Sequence, residues 1–189
     1  MRRSAALAVV VFGLCLLAAP EARALGPVDL EAAARVGGGT NPFGGFSNPL
    51  GFGLGARGGV GFSGFYGGIS LIYYFGSSQD VPGGGGKVSA NSFLYGIEGG
   101  YGGKLFNLFT LRGQLGIGSL QLSTGGTLGP RSASNLYLEP GAVALMSFGM
   151  ILVGIDATIV VLPGVADPVN GGSNWDAAFT VHLQGGVKF

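Results

Sequence analysis

The chain has 189 residues, 40 of them glycine, and its formal charge is only +1. Hydrophobic residues make up 47% and charged residues 10%, well below the roughly 25% charge of a soluble domain. These figures exclude a disordered chain, which would be poor in apolar residues, a collagen, because the glycines keep no three-residue period, and a basic nucleic-acid binder.

At the N-terminus, Arg2 and Arg3 precede an apolar run over 5–19, and Ala22 and Ala24 supply small residues before residue 25. This pattern predicts a secretory signal peptide over 1–24, followed by one domain over 25–189. An uncleaved anchor is the alternative, but a spanning helix needs roughly 20 apolar residues and the run is shorter. Cys15, the single cysteine, falls inside this segment. The remaining chain therefore excludes disulfides and thiolate chemistry. Loss of Arg2, Arg3, Arg23 and Glu21 leaves 7 basic against 8 acidic residues. No later stretch reaches the ~18 apolar residues of a spanning helix, so a closed β-barrel is the remaining way to cross a bilayer with every backbone group paired.

Eight segments alternate apolar with small or polar residues, the period of a membrane strand. In the first, over 30–39, Leu30, Ala32, Ala34 and Val36 oppose Glu31 and Arg35. In the second, over 50–61, Leu50, Phe52, Leu54, Ala56 and Val60 oppose glycines and Arg57. The third, over 65–75, sets Phe65, Ile69, Leu71, Tyr73 and Phe75 against Tyr66, Gly68, Ser70 and Tyr74. The fourth, over 90–102, sets Phe93, Tyr95, Ile97 and Tyr101 against Gly96, Glu98 and Gly100.

The fifth, over 108–122, opposes Phe109, Leu111, Leu115 and Ile117 to Thr110, Arg112, Gln114 and Gly116. In the sixth, over 135–147, Leu136, Leu138, Ala142, Ala144 and Met146 oppose Tyr137, Glu139 and Gly141. The seventh, over 150–161, opposes Ile151, Val153, Ile155, Ala157 and Ile159 to Gly154, Asp156 and Thr158. The eighth, over 176–189, opposes Phe179, Val181, Leu183, Val187 and Phe189 to Thr180, His182, Gln184 and Lys188. Pro140 cannot donate to a ladder. It predicts either a bulge or a one-residue slip that would put Glu139 on the other face.

Glu31, Arg35, Arg57, Glu98, Arg112, Glu139, Asp156 and Lys188 all share the non-apolar parity. An Arg or Lys facing lipid at mid-bilayer would cost ~2–4 kcal/mol, so this parity is expected to face the lumen. Connections over 40–49, 76–89, 123–134 and 162–175 read as long loops; 62–64, 103–107 and 148–149 read as tight turns. Phe62, Phe106, Phe148 and Phe189 are expected as one aromatic girdle, and Tyr73, Phe75, Phe93, Tyr137 and Trp175 as the other. Gly83-Gly84-Gly85-Gly86-Lys87 lacks the spacing of a phosphate-binding loop and reads as a surface loop.

The fold class expected is all-β: an eight-stranded antiparallel up-and-down transmembrane barrel. With its leader and the aromatic-terminated last segment, the chain resembles the small eight-stranded outer-membrane barrels (OmpA-, OmpX- and OmpW-like). That resemblance implies a bacterial outer-membrane location, surrounding outer-membrane lipid, and a barrel-assembly machinery that reads the signal Phe179, Val181, Leu183, Val187 and Phe189. It also implies a monomer. The inward charges, four of each sign among mostly Gly, Ser and Thr, are expected to form a network filling the lumen. A narrow solute pore is the alternative, since inward glycines would leave space. A lipid-modifying enzyme is a third reading. Barrel hydrolases of lipid A carry a serine two residues after their histidine, whereas Gln184 follows His182. A soluble lipocalin-like barrel would need the reverse parity. No cofactor, metal or catalytic residue is predicted, and the leading expectation is a structural or surface-interaction protein whose extracellular partner the residues do not identify.

Overall fold

The computed structural model describes residues 28–40, 48–80, 86–105, 108–126, 131–166 and 173–189, with the side chains of 79, 131, 164–166 and 173–175 excepted. The expected signal peptide lies outside the described residues. Eight strands follow in order: β1 (Val28–Gly39), β2 (Gly53–Phe62), β3 (Phe65–Asp80), β4 (Lys87–Leu105), β5 (Phe109–Gly126), β6 (Arg131–Phe148), β7 (Ile151–Ala166) and β8 (Ser173–Lys188). Each pairs antiparallel with the next, and β1 pairs with β8 from Glu31↔Lys188 to Gly39↔Thr180, which closes the barrel.

Local chemistry sets the hairpins. β2 and β3 meet at Ser63-Gly64, both with positive φ (49° and 88°). Such a pair matches the twist of the flanking strands. Gly149, at φ 61°, does the same between β6 and β7. In β3 the register shifts between Tyr74 and Ser77. Gly76 sits there at φ 62°, and a Cβ on it would strike the Ala90 carbonyl oxygen, so only glycine fits the bulge.

Pro140 makes neither a bulge nor a slip. The β6–β7 register is the same at Leu138↔Val161 as at Gly141↔Thr158, while pairing with β5 runs unbroken through Leu115↔Pro140. The missing N–H falls on the β7 side, and Glu139 stays inward and buried.

Three connections expected to be long are shorter. Pairing continues from Ser77↔Ala90 to Asp80↔Lys87, from Val88↔Gly126 along β4–β5, through Thr124↔Arg131, and to Ala166↔Ser173. These outer strand ends carry serine, asparagine and glutamine on both faces. They lie beyond the apolar belt, where no alternation is needed and the periodic signal fades. Asp80, Lys87 and Arg131, expected in loops, stand at strand ends; Asp167 lies outside the described residues.

The outward face is an apolar belt. Phe65, Ile69, Leu71, Tyr73 and Phe75 on β3, Tyr95, Ile97 and Tyr101 on β4, and Leu111, Leu115 and Ile117 on β5 are all exposed. Ten residues separate Phe65 from Phe75, and at ~3.3 Å per residue and ~40° tilt they rise about 25 Å, the height of a barrel's hydrocarbon band. Phe62 and Phe148 are exposed near the turn end and Phe75 near the loop end. Tyr137 departs from the expected girdle: it is 1% exposed and points into the lumen. Phe106 lies outside the described residues, as does the side chain of Trp175.

Candidate functional site

The lumen is layered, and its outer layer is apolar. Ile72 and Tyr74 of β3, Leu94 of β4, Leu120 of β5, Tyr137 of β6, Val160 and Leu162 of β7 and Ala178 of β8 form one buried cluster with Leu50. Leu50 was expected on the outer face of β2. Instead β2 begins at Gly53, and the Pro49-Leu50 turn folds over the barrel mouth, leaving Leu50 fully buried. The Asn48 side chain pins that turn: its Nδ2 donates to the Gly39 carbonyl (2.7 Å) and its Oδ1 accepts from Leu50 N–H (2.9 Å). The expectation of an inward set of small and charged residues missed this plug. Stretches apolar on both parities, such as Leu71-Ile72 and Val160-Val161-Leu162, were the signal.

Below the plug lies the most buried charge cluster. Arg35 of β1 donates through Nε and Nη2 to both oxygens of Asp156 on β7 (3.1 and 2.7 Å) and through Nη1 to Ser70 Oγ (2.8 Å). His182 of β8 places Nδ1 2.8 Å from Asp156 Oδ1 and Nε2 2.8 Å from the Tyr74 hydroxyl. The carboxylate is thereby held by two partners, and the imidazole orientation is fixed from both sides. Both Asp156 and His182 are fully buried. Beside it, Glu139 accepts from Thr158 Oγ1 (2.7 Å), which lies 2.6 Å from Thr180 Oγ1.

Further from the plug, Arg57 of β2 meets Glu98 of β4 at 2.8 Å and Gln114 Oε1 at 3.2 Å. Tyr66 donates its hydroxyl to Glu98 Oε1 at 2.9 Å. The guanidiniums of Arg57 and Arg112 lie 5.0 and 3.7 Å from the Tyr66 ring centroid. Tyr66 thus couples this layer to the next by cation–π contact. There Arg112 reaches Glu31 (3.1 Å), while Lys188 bridges Asp29 (2.8 Å) and, more loosely, Glu31 (3.8 Å).

Seven of the eight charged residues expected to line the lumen are buried and Lys188 is half-buried, and their contacts fall in layers, two of which Tyr66 links. Glu139 has no cation among its ion pairs in the described residues. His182 stands on the lumen face where its parity put it, whereas Asp29, Tyr66, Ser70, Gln114 and Thr158 complete the clusters and were not singled out as members. They could not be, because strand parity gives inwardness and not height.

Several inward glycines are covered by tyrosine side chains. A Cβ on Gly59 or Gly68 would lie 2.7 or 2.5 Å from the Tyr66 hydroxyl, and one on Gly96 or Gly118 within 2.9 Å of Tyr137. Each tyrosine covers glycines of its own or nearby strands, a pairing that recovers apolar contact where the glycine has none.

Among the described residues, the lumen opens toward the end with the tight turns. A cavity of about 510 Å³ there is lined by Asp29, Glu31, Phe62, Phe65, Lys104, Thr110, Arg112 and Lys188 with the glycines of the turns. The expected assembly-signal residues share one face of β8 and its end: Phe179 and Leu183 are exposed, and Val181, Val187 and Phe189 half-buried. Phe189 exchanges two backbone hydrogen bonds of 2.9 Å with Leu30.

Neither a family model nor a curated protein sequence matches the chain. Solved structures do match in shape. A major outer-membrane protein of Thermus thermophilus aligns at TM-score 0.55 and 12% identity, over 86% of this chain and 99% of that one. Neisserial surface protein A aligns at TM-score 0.51 and 11% identity, over 86% and 96%. At such identities the likeness is one of fold, and the fold is that of the small eight-stranded outer-membrane barrels.

Proposed function

We propose that the protein is an integral bacterial outer-membrane barrel with a sealed lumen, acting as a structural or surface-interaction element rather than as a pore or an enzyme. The observation that carries this reading is the plug: Leu50, Ile72, Tyr74, Leu120, Val160 and Leu162 are each at most 1% exposed across the outer lumen. Ions would have to cross this apolar layer without polar partners, at several kcal/mol per unsatisfied charge.

The apolar belt supports insertion among outer-membrane lipids. With eight strands both chain ends emerge with the tight turns, the end that would face the periplasm, and the four wider connections would lie outside. Phe179, Val181, Leu183, Val187 and Phe189 are the residues the assembly machinery would read, and a monomer satisfies every strand edge through β1–β8 closure.

Two measurements test the proposal. Membrane fractionation should find the protein in the outer membrane, released by detergent and not by salt. In planar bilayers the refolded barrel should give no steady unitary current; regular current steps would overturn the sealed lumen and favour a pore.

A further inference from the structure

We infer that the periplasmic vestibule is a binding site for small aminocarboxylates, ligands that carry an ammonium and a carboxylate group. The cavity of about 510 Å³ falls in the size range of small-molecule sites. It is one-ended, because the Arg112–Tyr66 stack (3.7 Å) and the charge layers behind it close its floor. A solute entering from the turn end cannot pass through.

Its charges are sorted by wall. On β4–β5, Lys104 stands opposite Thr110, and Arg112 lies opposite Gly102, two residues on along the same face. Lys104 is exposed and has no ion pair among the described residues. Arg112 is 4% exposed; one guanidinium nitrogen meets Glu31, and Nε and Nη2 have no hydrogen-bond partner among the described residues. This wall lacks a carboxylate of its own. On β1, Asp29 and Glu31 supply the acidic wall, with Lys188 of β8 set between them.

A simple anion drawn to Lys104 would also meet the two carboxylates, and a simple cation drawn to Asp29 would meet the lysines. A ligand bearing both charges meets each wall with its opposite. Its carboxylate is held by Lys104 and the Thr110 hydroxyl, facing the electropositive Arg112. Its ammonium is held by Asp29, whose bond to Lys188 is partly exposed and therefore opens at little cost. Free amino acids and short peptides, or the peptides of the cell wall, present this chemistry.

The inference rests on the barrel being closed above the vestibule, yet its test is independent of conductance. The full barrel in detergent micelles is titrated with glycylglycine, and backbone amide shifts are followed by NMR. Saturable shifts are expected at residues 29–31, 102–105 and 108–112, with sodium acetate and methylammonium giving none at equal concentration. Lys104→Ala at an exposed position and Asp29→Asn at a half-buried one should each weaken binding about tenfold while the folded barrel's gel mobility is unchanged. Soluble cell-wall peptides competing at the same residues would assign the natural ligand to the wall; competition by free amino acids alone would assign it to periplasmic solutes. The inference is overturned if glycylglycine gives no saturable shift at millimolar concentration, if acetate shifts the same signals equally, or if both variants bind as the parent does.

Discussion

The Tyr74 hydroxyl and His182 Nε2 lie 2.8 Å apart at the boundary between the apolar plug and the first charged layer. One ring belongs wholly to the plug cluster, and the other is held by Asp156. This contact ties the part of the lumen that excludes ions to the part that stores charge. A tyrosine suits the position because its body is apolar and its single polar atom finds a partner.

Asp156 is the keystone of the charged layer, since Arg35 and His182 both depend on it. Asp156→Asn leaves the Arg35 guanidinium buried without its counter-charge. A loss of about 3–5 kcal/mol in folding free energy is expected, read as a lower urea midpoint for the heat-modifiable gel band. Adding Arg35→Met should recover part of that loss, because the uncompensated charge goes with it.

The plug makes its own prediction. Leu120 is fully buried within it. Leu120→Ala should cost about 2–5 kcal/mol through the cavity it leaves. Urea titration of the refolded barrel measures this, and the neighbouring outward-facing Gln121→Ala serves as a control expected within about 0.5 kcal/mol.

Glycine positions divide by face. A Cβ at Gly118 would meet the Tyr95 carbonyl oxygen and the Tyr137 ring, whereas one at Gly185 meets nothing within 4 Å. Gly118→Ala should therefore destabilise the barrel by about 1–3 kcal/mol. Gly185→Ala should be neutral or slightly stabilising. Equal effects at both sites in the same urea assay would refute the account of Tyr137 lying over glycine.

The belt predicts a depth dependence. Ile117 is exposed in its middle, and Ser123 stands on the same face of β5 nearer the outer end. Ile117→Arg should cost ~2–4 kcal/mol in lipid vesicles and Ser123→Arg between about 0 and 1. Folding into vesicles at increasing urea distinguishes them, and a flat profile would mean that the belt is not embedded as proposed.

The strand count and the facing of each residue were readable because lipid imposes a local rule. Every second residue across the bilayer must be apolar, so Glu98 between Ile97 and Gly99 declares its side without reference to any other strand. Two placements made without that rule failed: Leu50 on the outer face and Tyr137 in the aromatic girdle. Leu50 follows a proline in a turn, where parity has no meaning, and Tyr137 was assigned by residue type when its even-numbered neighbours Leu136 and Leu138 already occupied the outer face.

The sequence by itself therefore determined a closed eight-stranded barrel, its lipid face and the set of charges inside it, because a period of two is decided between adjacent residues. Which charges meet was decided only by the tertiary structure. Arg35 and Asp156 are 121 residues apart, and they touch because register brings β1 and β7, the two neighbours of β8, to the same height on either side of it. The layering that follows, apolar plug over paired charges over an open vestibule, depends on those heights, which no single strand encodes.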